Sequence, residues 1–429
     1  MGKKNYARIA YGNGQLKVNI PAYAEPTIIQ KPCLEKITHP EKAIAEALAN
    51  PIGIERLSAA AVGKNTACIL ICDITRPVPN HLFLRPIINE LISAGLPLEG
   101  ITVLIATGLH RPNEGEELKE VIRDDWTLQN VKIENHFARS DNAHVDLGFT
   151  KKRGVPVKID RRFIEADIRI ATGLVEPHFM AGWSGGRKVI APGIAHEDTI
   201  RTFHSARFME DPNARQCNLT ANPLHEEQLE IIEMVGKVWA LNTVIDEARD
   251  LLFVSFGDII ESHLAAVNFV RPAAVIPIGR KFKTVLTSAA GHPLDKTYYQ
   301  TVKGMVTPMD ILEPGGALII ASACSEGFGS ENFRTAQDRL VKIGPSAFLD
   351  SLVAKNFADI DEWQTEMQLK PMGVGQVYLF TEGLNNEERA ATGVHMIDNL
   401  DVAVANSIRQ SGDPAIAIIP EGPYVVPVV

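Results

Sequence analysis

The chain has 429 residues, of which 45% are hydrophobic and 22% charged; this is typical of a soluble globular protein and long enough for two domains. Its formal net charge of -9 argues against nucleic-acid binding, which requires a basic surface. No apolar run reaches the length of a signal peptide or membrane span, and the five cysteines form no C-x-x-C motif, so we expect a cytoplasmic protein that does not bind membranes.

The first half of the chain alternates short apolar runs with segments of helical periodicity. The apolar runs at residues 68–72, 101–106, 131–137 and 168–175 predict strands, and residues 80–94 and 114–123 predict helices. This alternation predicts a largely parallel, doubly wound sheet, whose strands can be apolar throughout because helices cover both faces.

The second half continues this pattern after a proline-containing break at residues 268–278. It predicts strands at residues 283–287, 317–324, 376–380 and 415–419, and helices at residues 297–307, 337–342 and 348–354. We place a domain boundary at Pro272. The fold class is therefore α/β. We expect two α/β domains, residues 1–271 and 272–429, with largely parallel sheets and an active-site cleft between them. An alternative is that the last strand returns to the first domain.

Polar residues follow three of the predicted strands. Asp73, Thr75 and Arg76 follow the first strand, His110 follows the second, and His178 follows the fourth. Because open α/β sheets bind ligands at the carboxyl ends of their strands, we expect these side chains at one edge. Arginine suits a carboxylate or a phosphate, although the segment D-I-T-R-P also fits a helix N-terminus and a single histidine is more often structural.

A glycine-rich turn ending in a lysine follows the fourth strand. Gly182, Gly185 and Gly186 lack a Cβ and allow a ligand to approach the backbone, while Arg187 and Lys188 add positive charge and Lys188 adds a nucleophile. The turn is not a Walker P-loop, because Arg187 replaces the second required glycine. The sequence also has no suitably placed G-x-G-x-x-G fingerprint and no zinc-protease spacing.

Two histidines directed at one site suggest the inversion of a stereocentre that bears a hydroxyl group. Such a reaction needs proton acceptors and donors on both faces of the substrate, and imidazole serves both purposes near neutral pH. A hydride-transfer route would additionally need a hydride acceptor.

Six motifs in this order resemble the nickel-pincer lactate racemase family along essentially the whole chain. They are D-I-T-R-P, T-G-L-H-R-P, E-P-H-F, G-W-S-G-G-R-K, a histidine sixteen residues after the lysine, and Y-Y-Q-T-V-K-G. The resemblance implies an isomerase that racemises or epimerises a 2-hydroxy acid by proton-coupled hydride transfer. A short-chain, lactate-like substrate is our expectation.

The resemblance also implies a cofactor, the nickel-pincer nucleotide. This pyridinium mononucleotide holds nickel through two sulfur-containing arms and a ring carbon. Lys188 matches the lysine to which it is attached, and His204 matches the histidine that completes the square-planar nickel site, a geometry and ligand that suit Ni(II). The segment matching the one that holds the nucleotide comprises Asp73, Ile74, Thr75 and Arg76.

Further roles follow from the same resemblance. His110 and His178 match the paired acid/base histidines, and Arg76 also matches a ligand of the substrate carboxylate. The second domain would contribute the substrate-binding residues Tyr299, Gln300 and Lys303, together with Trp363, which aligns less securely with a tryptophan near the cofactor. The implied partners are the small-molecule 2-hydroxy acid and the proteins that synthesise the cofactor and insert nickel.

Two other functions are compatible with parts of the sequence. One is an NAD-dependent hydroxyacid oxidoreductase, which the missing glycine fingerprint disfavours. The other is a non-catalytic module that binds a carboxylate or a nucleotide, which would tolerate replacement of His110 or His178 by alanine.

Overall fold

A computed structural model describes residues 6–429. Two compact units, each assembled from separate segments of the chain, make up the structure. The terminal unit comprises the described residues up to Pro32, His204–Cys217 and Pro272–Val429, and the central unit comprises Cys33–Phe203 and Asn218–Arg271.

The strands and helices are numbered in chain order. The strands are β1 (Tyr6–Tyr11), β2 (Gly14–Asn19), β3 (Glu25–Ile28), β4 (Ala67–Cys72), β5 (Ile101–Ala106), β6 (Lys132–Asn135), β7 (His144–Phe149), β8 (Pro156–Asp160), β9 (Ile168–Leu174), β10 (Pro177–His178), β11 (Gly182–Trp183), β12 (Trp239–Ile245), β13 (Leu251–Asp258), β14 (Val275–Pro277), β15 (Phe282–Ser288), β16 (Leu312–Ala321), β17 (Gln376–Phe380), β18 (His395–Ile397), β19 (Ala415–Ile419) and β20 (Val426–Val428). The α-helices are α1 (Pro40–Ala49), α2 (Leu57–Ala60), α3 (Asn80–Ser93), α4 (Glu116–Ile122), α5 (Asp125–Asn130), α6 (Arg161–Ile164), α7 (Glu197–Phe203), α8 (Ala206–Met209), α9 (Pro223–Val235), α10 (Ile259–Ala274), α11 (Tyr298–Val306), α12 (Glu331–Ile343), α13 (Pro345–Val353), α14 (Glu362–Val374), α15 (Asn386–Ala391) and α16 (Leu400–Ser411). Within residues 6–429, none of the helices combines the length and the apolar character needed to cross a membrane.

The central unit is built around a six-stranded sheet with the strand order β13-β12-β9-β4-β5-β6. Five strands run parallel, and β13 runs antiparallel to β12. The chain passes from β4 through β5 to β6 and then returns to place β9 on the other side of β4. The carboxyl ends of β4 and β9 therefore form the switch point, the position at which open α/β sheets bind ligands.

The terminal unit contains a second six-stranded sheet, with the strand order β18-β17-β16-β15-β19-β3 and parallel pairing throughout. The β1–β2 hairpin packs Ile9 and Val18 into the same core cluster as Leu286 and Ile319. The central strands of both sheets are apolar because both of their faces are buried. The predicted α/β class with largely parallel sheets is confirmed.

One junction between the two units falls at the expected boundary, Pro272, but the units are not two continuous halves of the chain. The described residues up to Pro32 lie in the terminal unit because β3 pairs with β19. The segment His204–Cys217 lies there as well, because Ala206 packs into a core cluster with residues of α12 and α13. The expected break around Pro272 is helical, since α10 continues through this proline to Ala274. The last predicted strand, residues 415–419, is β19, which pairs with β15 and β3 in the terminal unit.

Candidate active site

The candidate site of the central unit lies at the carboxyl ends of three neighbouring strands. Asp73 directly follows β4, His110 comes four residues after β5, and Glu176 and His178 follow β9. Because β9, β4 and β5 are adjacent and parallel, their following loops emerge at one edge of the sheet. The structure thus brings together the strand-end residues that the sequence predicts there.

Asp73 and His110 form a hydrogen-bonded pair across this edge. The His110 Nδ1 atom lies 2.6 Å from Asp73 Oδ2, and Thr75 donates its hydroxyl to the other carboxylate oxygen at 2.6 Å. Burial favours the neutral form of Asp73, but the hydrogen bond and charge of His110, the Thr75 hydroxyl and the Arg76 charge outweigh it and lower the Asp73 pKa. Asp73 is therefore ionised at neutral pH and orients the His110 ring, whose side chain is 57% exposed.

Arg76 links the loops after β4 and β9. Its guanidinium lies 3.1 Å from Glu176 Oε1, and both side chains are only partly exposed. The loop before it is held by the Ile74 backbone N–H, which donates to Asn113 Oδ1 at 3.0 Å, and by the Arg76 N–H, which donates to the Asp73 carbonyl at 3.1 Å. Arg76 is thus fixed at the switch point, where its planar guanidinium suits a carboxylate or a phosphate.

His178 lies in β10, which pairs antiparallel with β11 through the contacts Pro177↔Trp183 and His178↔Gly182. The side chain is buried. Its Nδ1 atom accepts the backbone N–H of Met180 at 3.4 Å and that of Ala181 at 3.2 Å. The short hairpin therefore fixes the orientation of this imidazole through the backbone, whereas a carboxylate orients His110.

The glycine-rich turn requires its glycines for steric reasons. Gly185 has a φ of 76°, and a Cβ there would lie 2.7 Å from a methyl group of Val175. Gly186 has a φ of 48°, and a Cβ there would lie 2.9 Å from the His263 side chain. The Gly186 N–H donates to Asn242 Oδ1 at 2.9 Å, which fastens the turn to β12. No residue with a side chain could replace either glycine without moving the turn.

Lys188 lies in the 3-10 turn Gly186–Val189, which packs against β9 and β4. Burial lowers the pKa of its amine to about 7, and the positive charges of Arg76 and Arg187 act in the same direction. In contrast, hydrogen bonds to carboxylates raise the pKa of Lys36, Lys119 and Lys158. The neutral, nucleophilic form of the Lys188 amine is therefore far more populated at pH 7 than that of an ordinary lysine.

Arg187 points into the interior of the central unit. Its side chain is 1% exposed and donates to the Ala181 and Trp183 carbonyls at 3.3 and 3.5 Å. Its guanidinium also lies 3.4 Å from Nδ1 of His263, whose Nε2 donates to the Ser184 carbonyl at 2.9 Å. Burial lowers its pKa to about 9. Arg187 therefore holds the glycine-rich turn and contributes positive charge next to Lys188.

The remaining predicted residues belong to the terminal unit. The His204 side chain is buried there, and its ring centroid lies 4.7 Å from that of Trp363. The Trp363 indole N–H donates to the Tyr299 hydroxyl at 3.4 Å, which brings His204, Trp363 and Tyr299 together. Gln300 and Lys303 lie on the same helix, α11, and Gln300 Oε1 is buried without a hydrogen-bond partner among residues 6–429. Such an acceptor is available to a ligand donor.

Two residues of the site received no role from the sequence. Glu176 belongs to the motif E-P-H-F but becomes significant only through its ion pair with Arg76. Asn242, which holds Gly186, is the single amide in the buried strand W-A-L-N-T-V-I, where Thr243 is the other polar residue. A buried amide in such a strand is the kind of signal that sequence reasoning could have used.

A self-contained protein metal site is absent from residues 6–429, where no group of three His, Cys, Asp or Glu side chains could hold an ion. The nickel site that the resemblance implies does not require one, because a single imidazole would join ligands from the attached cofactor.

Comparison with known proteins matches both halves of the chain. The model of the lactate racemase N-terminal domain matches residues 11–217, and that of the lactate racemase C-terminal domain matches residues 280–427. The lactate racemase of Thermoanaerobacterium thermosaccharolyticum is 31% identical over 97% of this chain and 98% of its own. That of Lactiplantibacillus plantarum is 30% identical over 94% of this chain and 95% of its own.

Solved structures with the same fold include a lactate racemase. The lactate racemase apoprotein from Thermoanaerobacterium thermosaccharolyticum superposes with a TM-score of 0.90 and 29% identity, covering 98% of this chain and 99% of that one. A Thermotoga maritima protein, 18% identical over 92% of this chain and 99% of its own, shares the fold with a TM-score of 0.67. The matching family models and relatives identify the chain as an isomerase of the racemase class. The chain belongs to the lactate racemase family.

Proposed function

We propose that this protein inverts the C2 stereocentre of a lactate-like 2-hydroxy acid by proton-coupled hydride transfer, with a nickel-pincer nucleotide attached to Lys188. The observation that carries the proposal is the Lys188 amine. Its pKa is lowered to about 7, and it lies next to the switch point, whose loops also carry Arg76 and the imidazoles of His110 and His178. Two relatives that match nearly the whole chain are named lactate racemase.

The chemistry of Lys188 fits a covalently attached cofactor. An amine with an ordinary pKa is almost entirely protonated at pH 7 and cannot attack an acyl carbon. The lowered pKa of Lys188 makes its neutral form accessible at that pH, and the positive charges of Arg76 and Arg187 beside it favour an anionic or phosphate-bearing partner.

His204 fits the place of the nickel ligand. It is an imidazole in the terminal unit, held beside the Trp363 ring, and imidazole is a competent ligand for Ni(II) together with sulfur donors. Asp73, Ile74 and Thr75 would border the nucleotide. When bound, the cofactor would supply a carbon atom that accepts the C2 hydride of the substrate and returns it.

The chain's own residues would bind the substrate and move the proton. Arg76, held by Glu176, would bind the substrate carboxylate. His110 and His178 would face the hydroxyl oxygen, so that a proton can leave and return as the carbon is oxidised and reduced. Asp73 orients the His110 ring through the 2.6 Å contact with its Nδ1 atom.

The terminal unit would contribute further groups. Tyr299, Gln300 and Lys303 offer a hydroxyl, an amide and an ammonium from α11 to substrate or cofactor oxygens, and Trp363 would shield His204 from water. We place the enzyme in the cytoplasm, with the cofactor-synthesis and nickel-insertion proteins as its partners.

Intact-mass spectrometry tests the attachment. The protein is produced with and without a set of cofactor-synthesis and nickel-insertion enzymes, and its mass is measured in native and denaturing buffers. We expect a sulfur-containing adduct on Lys188 only in the first preparation, with nickel retained in the native spectrum. Lys188→Ala should carry no adduct, whereas Lys42→Ala, a change at an exposed lysine on α1, should carry it fully.

Chiral chromatography tests the reaction. Pure D- and L-lactate, and longer or dicarboxylic 2-hydroxy acids, are incubated with the loaded protein and with Lys188→Ala. We expect both lactate enantiomers to converge on the racemic mixture only with the loaded protein. Unmodified protein that racemises lactate at the same rate would refute the proposal, as would NAD-dependent oxidation without racemisation.

A further inference from the structure

Arg187 is a buried cation without a carboxylate partner. Its side chain is 1% exposed, and within residues 6–429 it forms no ion pair with an aspartate or a glutamate. Burial accounts for the lowering of its pKa to about 9, with no contribution from a carboxylate. A guanidinium with that pKa is charged at neutral pH, and a buried charge that lacks a counter-ion is strongly destabilising. The polypeptide thus leaves one positive charge uncompensated inside the central unit.

The groups that touch this guanidinium are neutral. One terminal nitrogen donates to the Ala181 and Trp183 carbonyls at 3.3 and 3.5 Å, and the other lies 3.4 Å from His263 Nδ1. His263 donates its Nε2–H to the Ser184 carbonyl at 2.9 Å, so its Nδ1 is left as an acceptor. Burial and the Arg187 charge hold the pKa of His263 well below its usual value, which keeps this ring neutral. These contacts satisfy N–H groups but supply no negative charge.

Two N–H groups at the same turn have no acceptor. The Nε atom of Arg187 and the indole Nε1 atom of Trp183 are both buried, and neither has a hydrogen-bond partner among the described residues. Both atoms can only donate. Because Arg187 also contacts the Trp183 carbonyl, the two side chains belong to one cluster. Buried donors without an acceptor are rare in folded proteins, so an acceptor from outside the chain is expected here.

The helix α9 adds a third nitrogen to this cluster. It packs against the turn that carries Arg187, and His225 Nδ1 on this helix is buried without a partner in the part of the chain that the structure describes. Burial and the Arg187 charge lower the His225 pKa to about 3, so its ring is neutral at pH 7 and can donate from Nδ1. The adjacent carboxylates, Glu226 and Glu227, are paired with Arg153. Helix α9 therefore offers a donor and no free counter-charge.

The chemistry of the cluster distinguishes an anion from a water molecule. A water molecule could accept from Arg187 and donate to Oε1 of Gln228, a buried acceptor one turn beyond His225 that lacks a partner within residues 6–429, but it would leave the charge uncompensated. A small anion accepts from several N–H groups at once and neutralises the guanidinium. A nucleotide or a hydroxy acid is too large to reach a side chain that is closed off from solvent. An anion of halide size is the ligand class that fits.

We infer that the central unit binds a small inorganic anion such as chloride behind the glycine-rich turn, where it accepts hydrogen bonds from Arg187 Nε and the Trp183 indole N–H. The anion supplies the counter-charge that Arg187 lacks and thereby holds the side chain that fixes the turn before Lys188. The site belongs to the apoprotein and is separate from the Lys188 amine. This inference therefore does not rest on the proposed function.

Anomalous diffraction from apoprotein crystals soaked in bromide locates the anion directly. We expect a bromide peak within hydrogen-bond distance of Arg187 Nε and Trp183 Nε1 in wild type and in Arg56→Met, a substitution of an exposed arginine in the same unit. Arg187→Met, which removes the charge, should lack the peak. A water molecule or empty space beside Arg187, or bromide at the protein surface only, would overturn the inference.

Thermal unfolding of the apoprotein measures the binding in solution. Ionic strength is held constant while bromide replaces gluconate, an anion too large for a buried site of halide size. We expect the wild-type midpoint to rise by about 2–4 °C and to level off as the site fills. Trp183→Phe loses one of the donors, so it should need about five- to tenfold more bromide for half of the effect.

Two arginine substitutions separate the buried site from a general effect of salt. Arg187→Met should show no saturating response to bromide, and Arg56→Met should respond as wild type does. If Arg187→Met does not fold, the titrations of wild type and Trp183→Phe decide the question. A wild-type midpoint that ignores bromide would rule out the site, as would the same response in wild type and in every substituted protein that folds.

Discussion

The buried amine of Lys188 should reduce the stability of the apoprotein, and Lys188→Met should remove this effect. Burial, followed by the charges of Arg76 and Arg187, lowers the pKa from 10.5 to about 7. Each pKa unit corresponds to about 1.4 kcal/mol, so the penalty is about 4 kcal/mol at pH 7 and slightly larger at lower pH. Methionine has a similar length and no charge.

The effect should depend on pH in a defined direction. Between pH 7 and pH 10.5 the unfolded chain holds a proton on Lys188 that the folded protein has released. The Lys188 contribution to stability therefore becomes more favourable as pH rises through this window, and the penalty disappears above it, where both states are neutral.

Urea unfolding of the apoproteins at pH 7 and pH 10.5 measures the difference. We expect Lys188→Met to unfold at a clearly higher urea concentration than wild type at pH 7, and the two curves to approach each other at pH 10.5. Lys42→Met, a substitution of a side chain that is 74% exposed, should match wild type at both pH values. A stability difference between wild type and Lys188→Met that is the same at both pH values would refute the reasoning.

Three further substitutions test other parts of the structure. Gly185→Ala should lower the free energy of unfolding by about 2 to 4 kcal/mol, because the new Cβ would lie 2.7 Å from a valine methyl at a positive φ; an unchanged thermal midpoint would contradict this. Glu176→Gln should raise KM for the hydroxy acid about tenfold with a smaller change in kcat, since Arg76 loses the carboxylate that orients it; steady-state kinetics showing an unaltered KM would count against that role. Trp363→Phe keeps an aromatic ring but loses the 3.4 Å bond to Tyr299, so urea unfolding should show a loss below about 1 kcal/mol.

The parallel sheets could be predicted because their central strands are buried on both faces. Strands such as β4 and β5 consist almost entirely of apolar residues, and such runs, alternating with helical segments, are typical of a parallel sheet covered on both sides. Their adjacency then predicts that Asp73 and His110 meet, as the 2.6 Å contact confirms. The main strands of the sheets and part of the site could thus be predicted from the local sequence.

Features that depend on distant pairing could not be predicted in this way. All four residues of β3 are exposed, so its sequence carries no apolar signal, and only pairing with β19 makes it a strand. Pro272 suggested a break, but it lies in the last turn of α10, where the helix tolerates it. The orientation of the His178 ring depends on two backbone N–H groups in a hairpin, and no side-chain pattern reveals such bonds.

The interleaved course of the chain limits how this protein can be divided or recombined. The polypeptide passes between the two units at four junctions, after Pro32, Phe203, Cys217 and Arg271. A stop codon or a protease cut at any single junction leaves each fragment with an incomplete core and exposed apolar surface. Chimaeras between relatives should consequently fold only when the exchanged segments respect all four crossings, and half-length fragments should accumulate as aggregates.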